Sequence, residues 1–500
     1  MELPAKTNTH SSDSLKKLHP SWIGFKLFNS IKGFIMFCLF IALLLDYSSN
    51  TILSMRGLII LGAFVLFKIV STILEWKHFN YSIDNKELFI EKGRFITMKR
   101  HFSIDNIQGI KQNSSLFHRL TGLTSLSIDI GSSERDSAIK LEMITMSEAE
   151  QIKQKLSRRS INVPVQEEIN DDVHPIHSDT KTHYEVDTKE ILIASLTSLS
   201  LLFFIFLLHS IYSELSQYFA IEVYVDRVLE YFQSSTTMLV IGISLLIFLS
   251  LVYGFLKTYI QYGGFKITSD ANRIYVEKGL ADKTYFSVPK NKVQALSINS
   301  GFIHKMLDIT TVKLISSTDT DDEEMKASNI LFPFIKRKKA HLLIPEVLPS
   351  FKVSKDLTSV PRISILVKIL RTIYAWLLAP ALIYYFFPSS WYVAVLLAVM
   401  VLSSQVFNGI FNGYTLDGSF LQFKKGAIIT RTFIMKQEKI ERLQLSETFI
   451  QRKLGLASLK ITIRSMPTKE IVIHDVPVKI AYLCQSWFIE KKEGASSLTI

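Results

Sequence analysis

Cysteine is nearly absent from this chain, with two in 500 residues. Cys38 falls in an apolar run and Cys484 in a predicted C-terminal helix, and neither has a CxxC or Cys/His neighbour. Thiols so placed give no basis for a disulfide framework or a zinc site, and both read as buried free thiols. Catalytic signatures are missing too. There is no GxSxG, no Walker loop, no HExxH and no GxGxxG after a strand. The chain offers no catalytic residue, no cofactor and no metal site, and the expectation is a protein that is not an enzyme. A secretory leader is also not recognisable, because MELPAKTNTHSSDSLKKLHP is polar and the first apolar run has no small-residue cleavage site behind it. That run is expected to be a retained anchor.

Acidic residues are outnumbered, 45 against 57 Lys and Arg, which leaves a net charge of +12. A basic balance points to an anionic partner, nucleic acid or anionic lipid. The one dense basic run, KRKK at 336–339, follows the acidic run 319–324 and lacks interleaved aromatics, so nucleic acid is not expected. His174, His177 and His183 lie in a polar stretch, 160–185, beside Asp171, Asp172 and Asp179. That composition is read as a disordered linker rather than a metal site.

What is abundant is apolar sequence, 48% of residues. A spanning helix needs about 20 mainly apolar residues. Six runs approach that length: 31–45, 57–74, 191–212, 238–256, 369–387 and 391–411. They pair into hairpins with connections at 46–56, 213–237 and 388–390. An even number of crossings puts everything between the hairpins on one side. The connection 213–237 carries Glu214, Glu222, Asp226 and Glu230 against Arg227, while the opposite flanks carry Lys16, Lys17, Lys26, Lys32, Lys77, Lys257, Lys266, Arg362, Lys368 and Arg371. Positive flanks stay cytoplasmic, so both termini and the intervening domains are expected on the cytoplasmic face of a multi-pass cytoplasmic-membrane protein. Lys68 stands inside the second run, and an intramembrane lysine costs about 2.5–3.5 kcal/mol on insertion scales. Trp76 is close enough that the ammonium can snorkel. Pro380 is expected to kink the fifth run, and Gln405 and Asn408 to bridge helices near the end of the sixth.

After each hairpin one unit recurs. FIEKGRFITMKRHFSIDNIQGI (89–110), YVEKGLADKTYFSVPKNKVQAL (275–296) and QFKKGAIITRTFIMKQEKIERL (422–443) align without a gap. Alternation at Tyr81–Ile83, Phe265–Ile267 and Tyr414–Leu416 predicts strands. Gly93, Gly279 and Gly426 mark tight turns. Short helices are predicted near 116–119, 302–305 and 449–452. Closing helices are predicted for the first copy, where Ser147 and Glu150 have capping-box spacing, and for the third, where Pro477 suits a first helical turn. The middle copy is less clear at its end. The fold class is therefore α+β: six transmembrane helices in three hairpins, each followed by a small β-barrel or sandwich with a C-terminal helix. The boundaries read as an N-terminal segment 1–30, hairpins 31–75, 190–257 and 363–411, domains 79–158, 259–345 and 412–493, and linkers 159–189 and 346–362.

The segments KKLHPSWIGFKLF (16–28) and HYEVDTKEILIASLTS (183–198), the Lys-Gly turns and QLSETFIQRKLGLASLKI (444–461) together resemble the bacterial membrane-flanked domain family, in its three-domain form. The resemblance covers almost the whole chain and implies pleckstrin-homology-like (PH-like) domains. It brings no catalytic residues, and a PH-like fold alone does not license headgroup binding. Most basic positions do not recur between copies: Lys99 and Arg100 align with Tyr285 and Phe286, then with Thr432 and Phe433. Two sets do recur, Lys92/Lys278/Lys425 before the glycine and Arg119/Lys305/Arg452 in the short helix, and these are the candidate lipid or anion ligands. The reading is a membrane scaffold that binds membrane lipid and a protein partner in the membrane, a smaller single-domain relative being one such partner. A role in envelope stress or resistance to membrane-active compounds rests on the resemblance alone. The alternative is a transport or export component in which Lys68, Gln405 and Asn408 line a path.

Overall fold

The computed structural model describes residues 15–28, 30, 55–84, 87–94, 96–104, 107, 109–130, 138–159, 180–196, 200–218, 221–316, 329–354, 356–465 and 468–496. The expectations for the apolar run at 31–45 with Cys38, for the acidic run 319–324 and for His174 and His177 lie outside these residues. The chain divides into two compact units, Met1–Pro175 and Ile176–Ile500.

The first unit holds one repeat. Helix α1 (Met55–Lys77) leads into three antiparallel strands, β1 (Asn80–Ile83), β2 (Glu87–Lys92) and β3 (Met98–Ser103). A second antiparallel set comes next: β4 (Gly109–Ser114), the short helix α2 (Leu116–Leu120), β5 (Leu123–Asp129) and β6 (Ala138–Thr145), closed by α3 (Met146–Arg159). Alternating inward residues fill one core, with Leu88, Leu126, Ile128, Leu141 and Met143 fully buried. Each side chain of that size contributes about 1.5–3 kcal/mol by leaving water. The cap of α3 is not the predicted one. Thr145 Oγ1 accepts the Glu148 N–H at 3.3 Å, so the helix starts ahead of Ser147 and the Ser147/Glu150 spacing falls inside it.

The second unit holds two repeats. The second repeat starts at β7 (Lys181–Glu185) and continues through the helices α4 (Thr188–Leu196), α5 (Ser200–Tyr218), α6 (Glu222–Gln233) and α7 (Thr236–Tyr262). Strands β8 (Lys266–Ser269), β9 (Arg273–Lys278) and β10 (Lys283–Pro289) complete its opening sheet, in the order β7-β8-β9-β10. Then come β11 (Val293–Ser300), α8 (Phe302–Met306), β12 (Ile309–Ser316), β13 (Ile330–Lys336) and α9 (Arg337–Val347). The third repeat runs β14 (Thr358–Ser359), α10 (Ile363–Arg371), α11 (Ala379–Phe386), α12 (Trp391–Phe411), β15 (Gly413–Asp417), β16 (Phe420–Lys425) and β17 (Thr430–Lys436). It ends with β18 (Ile440–Ser446), α13 (Phe449–Lys453), β19 (Leu456–Ile463), β20 (Lys469–Pro477) and α14 (Val478–Ser496). Pro477 is thus the last strand residue, one position before the helix it was expected to open. Helix α9 closes the middle repeat that the sequence leaves unclear.

Each helical insert interrupts a domain rather than preceding it, which corrects the hairpin-then-domain order. β7 pairs with β8 across α4–α7, and β14 pairs with β15 across α10–α12. In the first repeat Lys16 and Tyr81 exchange both backbone hydrogen bonds, at 2.8 and 2.9 Å, and Leu18 and Trp22 join the core. The first strand of each domain is short and polar, as in KTHYE, so it escapes a search for alternation. His183 consequently belongs to β7 and not to a disordered linker. Its Nε2 lies 2.9 Å from Ser269 Oγ, and its Nδ1 3.2 Å from a Glu346 carboxylate oxygen.

The membrane segments are partly as expected. Helices α7 and α12 are long and apolar enough to cross a membrane, and α10 with the Tyr374–Phe386 segment would make a third if the bent pair is one span. The third apolar run holds α4 and α5, and the acidic connection after it contains α6. The bend in the fifth run is 58° and falls between Arg371 and Tyr374, at a π-helical turn, not at Pro380. Pro380 follows directly on that π-helical turn, at the start of α11.

Candidate functional site

The turn lysines Lys92, Lys278 and Lys425 end β2, β9 and β16, and all three are half-buried. Behind them Gly279 and Gly426 adopt φ of +91° and +119°, the left-handed freedom the turn was expected to need, whereas Gly93 of the first repeat does not take a positive φ. Lys425 packs its ammonium 5.4 Å from the Phe433 ring centroid. Burial, then Arg431 and Lys469, push its pKa down. It is a packed residue more than a displayed one.

The second set separates by repeat. Arg119 is exposed on α2. Arg452 is 74% exposed and stands 3.7 Å from Glu447. Lys305 is different: its ammonium donates to the Ala427 carbonyl at 2.9 Å and lies 4.6 Å from the Phe411 ring. Lys424 approaches the same ring at 5.8 Å. The structure therefore brings Lys305 of the second repeat to the glycine turn of the third, where its cationic neighbour is Lys424 and not the predicted Lys425. Burial lowers the pKa of both, Lys424 and Arg337 add to the effect at Lys305, and Arg337 adds to it at Lys424. The carboxylate paired there is Asp308, 3.5 Å from Arg337. Two cations beside an aromatic ring at the end of an apolar helix suit an anionic group held at the membrane surface.

This cluster borders a joint between repeats. β11 pairs antiparallel with β17 over six residue pairs, from Ala295–Met435 to Ser300–Thr430. The joint is apolar and reciprocal. Ala295 sits in the core of the third repeat, and Ile434 in the core of the second, both with no exposed surface. Lys439 closes one end by donating to the Asn291 carbonyl at 2.8 Å.

Lys68 is half-buried on α1, in the first unit. Gln405 and Asn408 are half-buried on α12. Asn408 bridges helices through its backbone, accepting from Lys368 Nζ at 3.1 Å. Beside that contact lies a network the sequence does not announce. Arg371 Nη2 donates to Asp475 Oδ1 at 2.7 Å, and Gln451 Nε2 donates to the same oxygen at 2.7 Å. Asp475 is fully buried and has φ +65°. In sequence, Lys368 and Arg371 stand out only as positive flanks. One signal is available: Asp475 stands three residues before its closing helix, as Met143 does, and both have positive φ at a strand irregularity. An ionisable residue where another copy keeps a buried methionine marks a buried charge.

Comparison with known proteins decides the family. The profile of the bacterial PH domain matches three times, at residues 35–160, 203–348 and 359–488. The chain belongs to the bacterial PH domain family. It is 24% identical over 493 residues, covering 96% of this chain and 99% of the relative, to the UPF0699 transmembrane protein YdbT of Bacillus subtilis (strain 168). No solved structure matches. The chain is thus a transmembrane bacterial PH-domain protein homologous to that relative, with the domain present three times.

Proposed function

We propose that this bacterial PH-domain protein is a non-catalytic scaffold of the cytoplasmic membrane, crossing it six times and presenting its three domains and both termini to the cytoplasm. It would hold a second membrane protein, such as a smaller relative with one such domain, and anionic lipid, in support of envelope stress tolerance or resistance to membrane-active compounds. The observation that carries the reading is the β11–β17 joint, because these domains already bind one another by adding a strand to an edge. The inserted helices support the topology. β7 with β8, and β14 with β15, are hydrogen-bonded neighbours on either side of an insert, so both ends of each insert lie on the same side of any membrane. The lysines at Phe411 would orient the domains by contact with lipid phosphate.

Nothing among the described residues favours a transport path, since Asn408 contributes a backbone carbonyl to helix packing. Crosslinking in native membranes, with mass spectrometry of the attached species, tests the scaffold. A specific protein partner is expected, and recovery of the chain alone under several crosslinkers would refute it. For the lipid part, nanodiscs of phosphatidylglycerol should stabilise the wild type more than the Lys305→Ala/Lys424→Ala variant, with no such difference in phosphatidylcholine.

A further inference from the structure

We propose that the outer edge of β18 receives strand β3 of a second copy of this chain, repeating between polypeptides the joint that β11 and β17 make within one. The proposal rests on the scaffold reading and names its partner. In the gapless alignment of the repeats, β18 occupies the place of β11, and β3 the place of β17. Among the described residues β18 pairs with β19 alone, and β3 is the last strand of its sheet beside β2. Burial tracks pairing. Seven of the eight β11 residues are buried, whereas Glu441, Arg442, Gln444 and Ser446 of β18 are exposed, as are Met98, Lys99, His101 and Ser103 of β3.

One flanking device of the inner joint has a counterpart at the outer edges, whereas Lys439, which closes the other end, aligns with Asn106. Lys305, which grips the Ala427 carbonyl, aligns with Arg452, which extends into solvent. The turn it would grip has a similar close approach, a Cβ on Gly93 lying 2.1 Å from the Ile96 carbonyl oxygen against 2.0 Å from Ile429 for Gly426, although Gly93 lacks the positive φ of Gly426. The edges also differ in charge. β3 carries Lys99, Arg100 and His101, of which Lys99 and His101 face Glu91 and Glu87 of β2, while the β18 segment is balanced, with Glu441 and Glu447 against Arg442. Where the inner joint places Ala295 and Ile434 in the opposite cores, the outer edges carry Arg442 and His101. An outer joint is therefore more polar than the inner one, soluble when open and reversible. That replacement also keeps an open edge from pairing indiscriminately. The contact is head-to-tail, so copies in one membrane close into a ring or extend as a row.

The inner register places Ser446 opposite Met98, as Asn299 is opposite Arg431, and Ser446 and Met98 are both exposed. The test co-expresses two full-length, differently tagged chains, one Met98→Cys and the other Ser446→Cys, and oxidises washed membranes. The expected result is a disulfide-linked species carrying both tags. Its yield should be severalfold above that of Met98→Cys with Tyr482→Cys, a collision control on exposed α14, and should fall severalfold when Arg452→Ala is added. Yield equal to the control overturns the proposal, provided each variant runs as wild type on size exclusion. A photo-crosslinker at Ser446 that captures only a different polypeptide also overturns it, while leaving the scaffold reading standing. A photo-crosslinker that captures the same chain at β3 supports it. Failure of the scaffold reading is separate, and shows as no specific partner from any position.

Discussion

At the scale of single residues, the repeats solve one local problem with different side chains, and pH separates the solutions. His304 Nδ1 accepts the Gly301 N–H at 3.4 Å, and the aligned Gln451 accepts the Thr448 N–H at 3.0 Å. Only the histidine can lose its acceptor by protonation. Burial lowers the His304 pKa, so the unfolded chain binds that proton more readily. The stabilisation is present above the unfolded histidine value of about 6.5 and is lost as pH falls through the folded value. Thermal unfolding of the protein in detergent should show weakening below pH 6.5 that His304→Gln makes shallower. The buried Asp475 gives a second expectation. Removing Arg371 leaves its carboxylate bonded to Gln451, with Lys368 as the remaining nearby cation but no directly paired one, and breaking a buried pair costs about 3–5 kcal/mol. Arg371→Ala should lower the unfolding midpoint clearly, and Arg371→Ala/Asp475→Gly should recover part of the loss. The candidate lysines are legible in the sequence because they recur at fixed distance from a glycine. Which of them meet is not, since Lys305 and Lys424 converge only through strand pairing between repeats.

Elements show where periodicity succeeds and where it stops. The alternation at Tyr414–Leu416 falls in β15, and β16 and β19 are where they were expected. The pre-hairpin strands β7 and β14 have 5 and 2 residues and become strands only by pairing with β8 and β15, on the far side of the helices. Proline is the usual cause of a kink, but the bend in the fifth run lies at a π-helical turn ahead of Pro380. Packing of the helices themselves turns on a small residue. A Cβ on Gly409 would lie 2.3 Å from Ile365 Cγ1, so α10 and α12 meet through glycine, as close-packed membrane helices do. Gly409→Val should force them apart at a cost of about 1–3 kcal/mol, read as increased protease access to the α10–β14 region in membranes. Gly426→Ala is expected to cost at least about 1 kcal/mol through its left-handed φ and to loosen the Lys305 contact beside it.

For the molecule as a whole, the threefold repeat and its membrane inserts are legible, because duplication and long apolar runs survive in one sequence. The circular order of each domain is not, because its first strand is separated from its second by an entire helical insert. That arrangement makes a direct prediction. Val360 N donates to the Asn412 carbonyl at 3.2 Å, so the two ends of the third insert already touch. Replacing 361–411 with a short Asn-Gly turn, together with Asp475→Gly because Arg371 leaves with the insert, should yield a third repeat that keeps its β14–β15 pairing, detectable as retained sheet signal and a cooperative melt in reduced detergent. Collapse to an aggregated, non-cooperative species would show that the helices supply part of the domain's own core.

The split of each domain by its helices also orders events during synthesis. In the proposed topology β7 leaves the ribosome before its insert and waits, polar and unpaired, until the chain has gone out through the lipid and come back. If one helix of the insert fails to enter, the two halves of the sheet emerge on opposite sides of the bilayer and can never zip together. A folded domain is then its own certificate of correct insertion, and a mis-threaded chain is left displaying raw strands to the proteases that clear it.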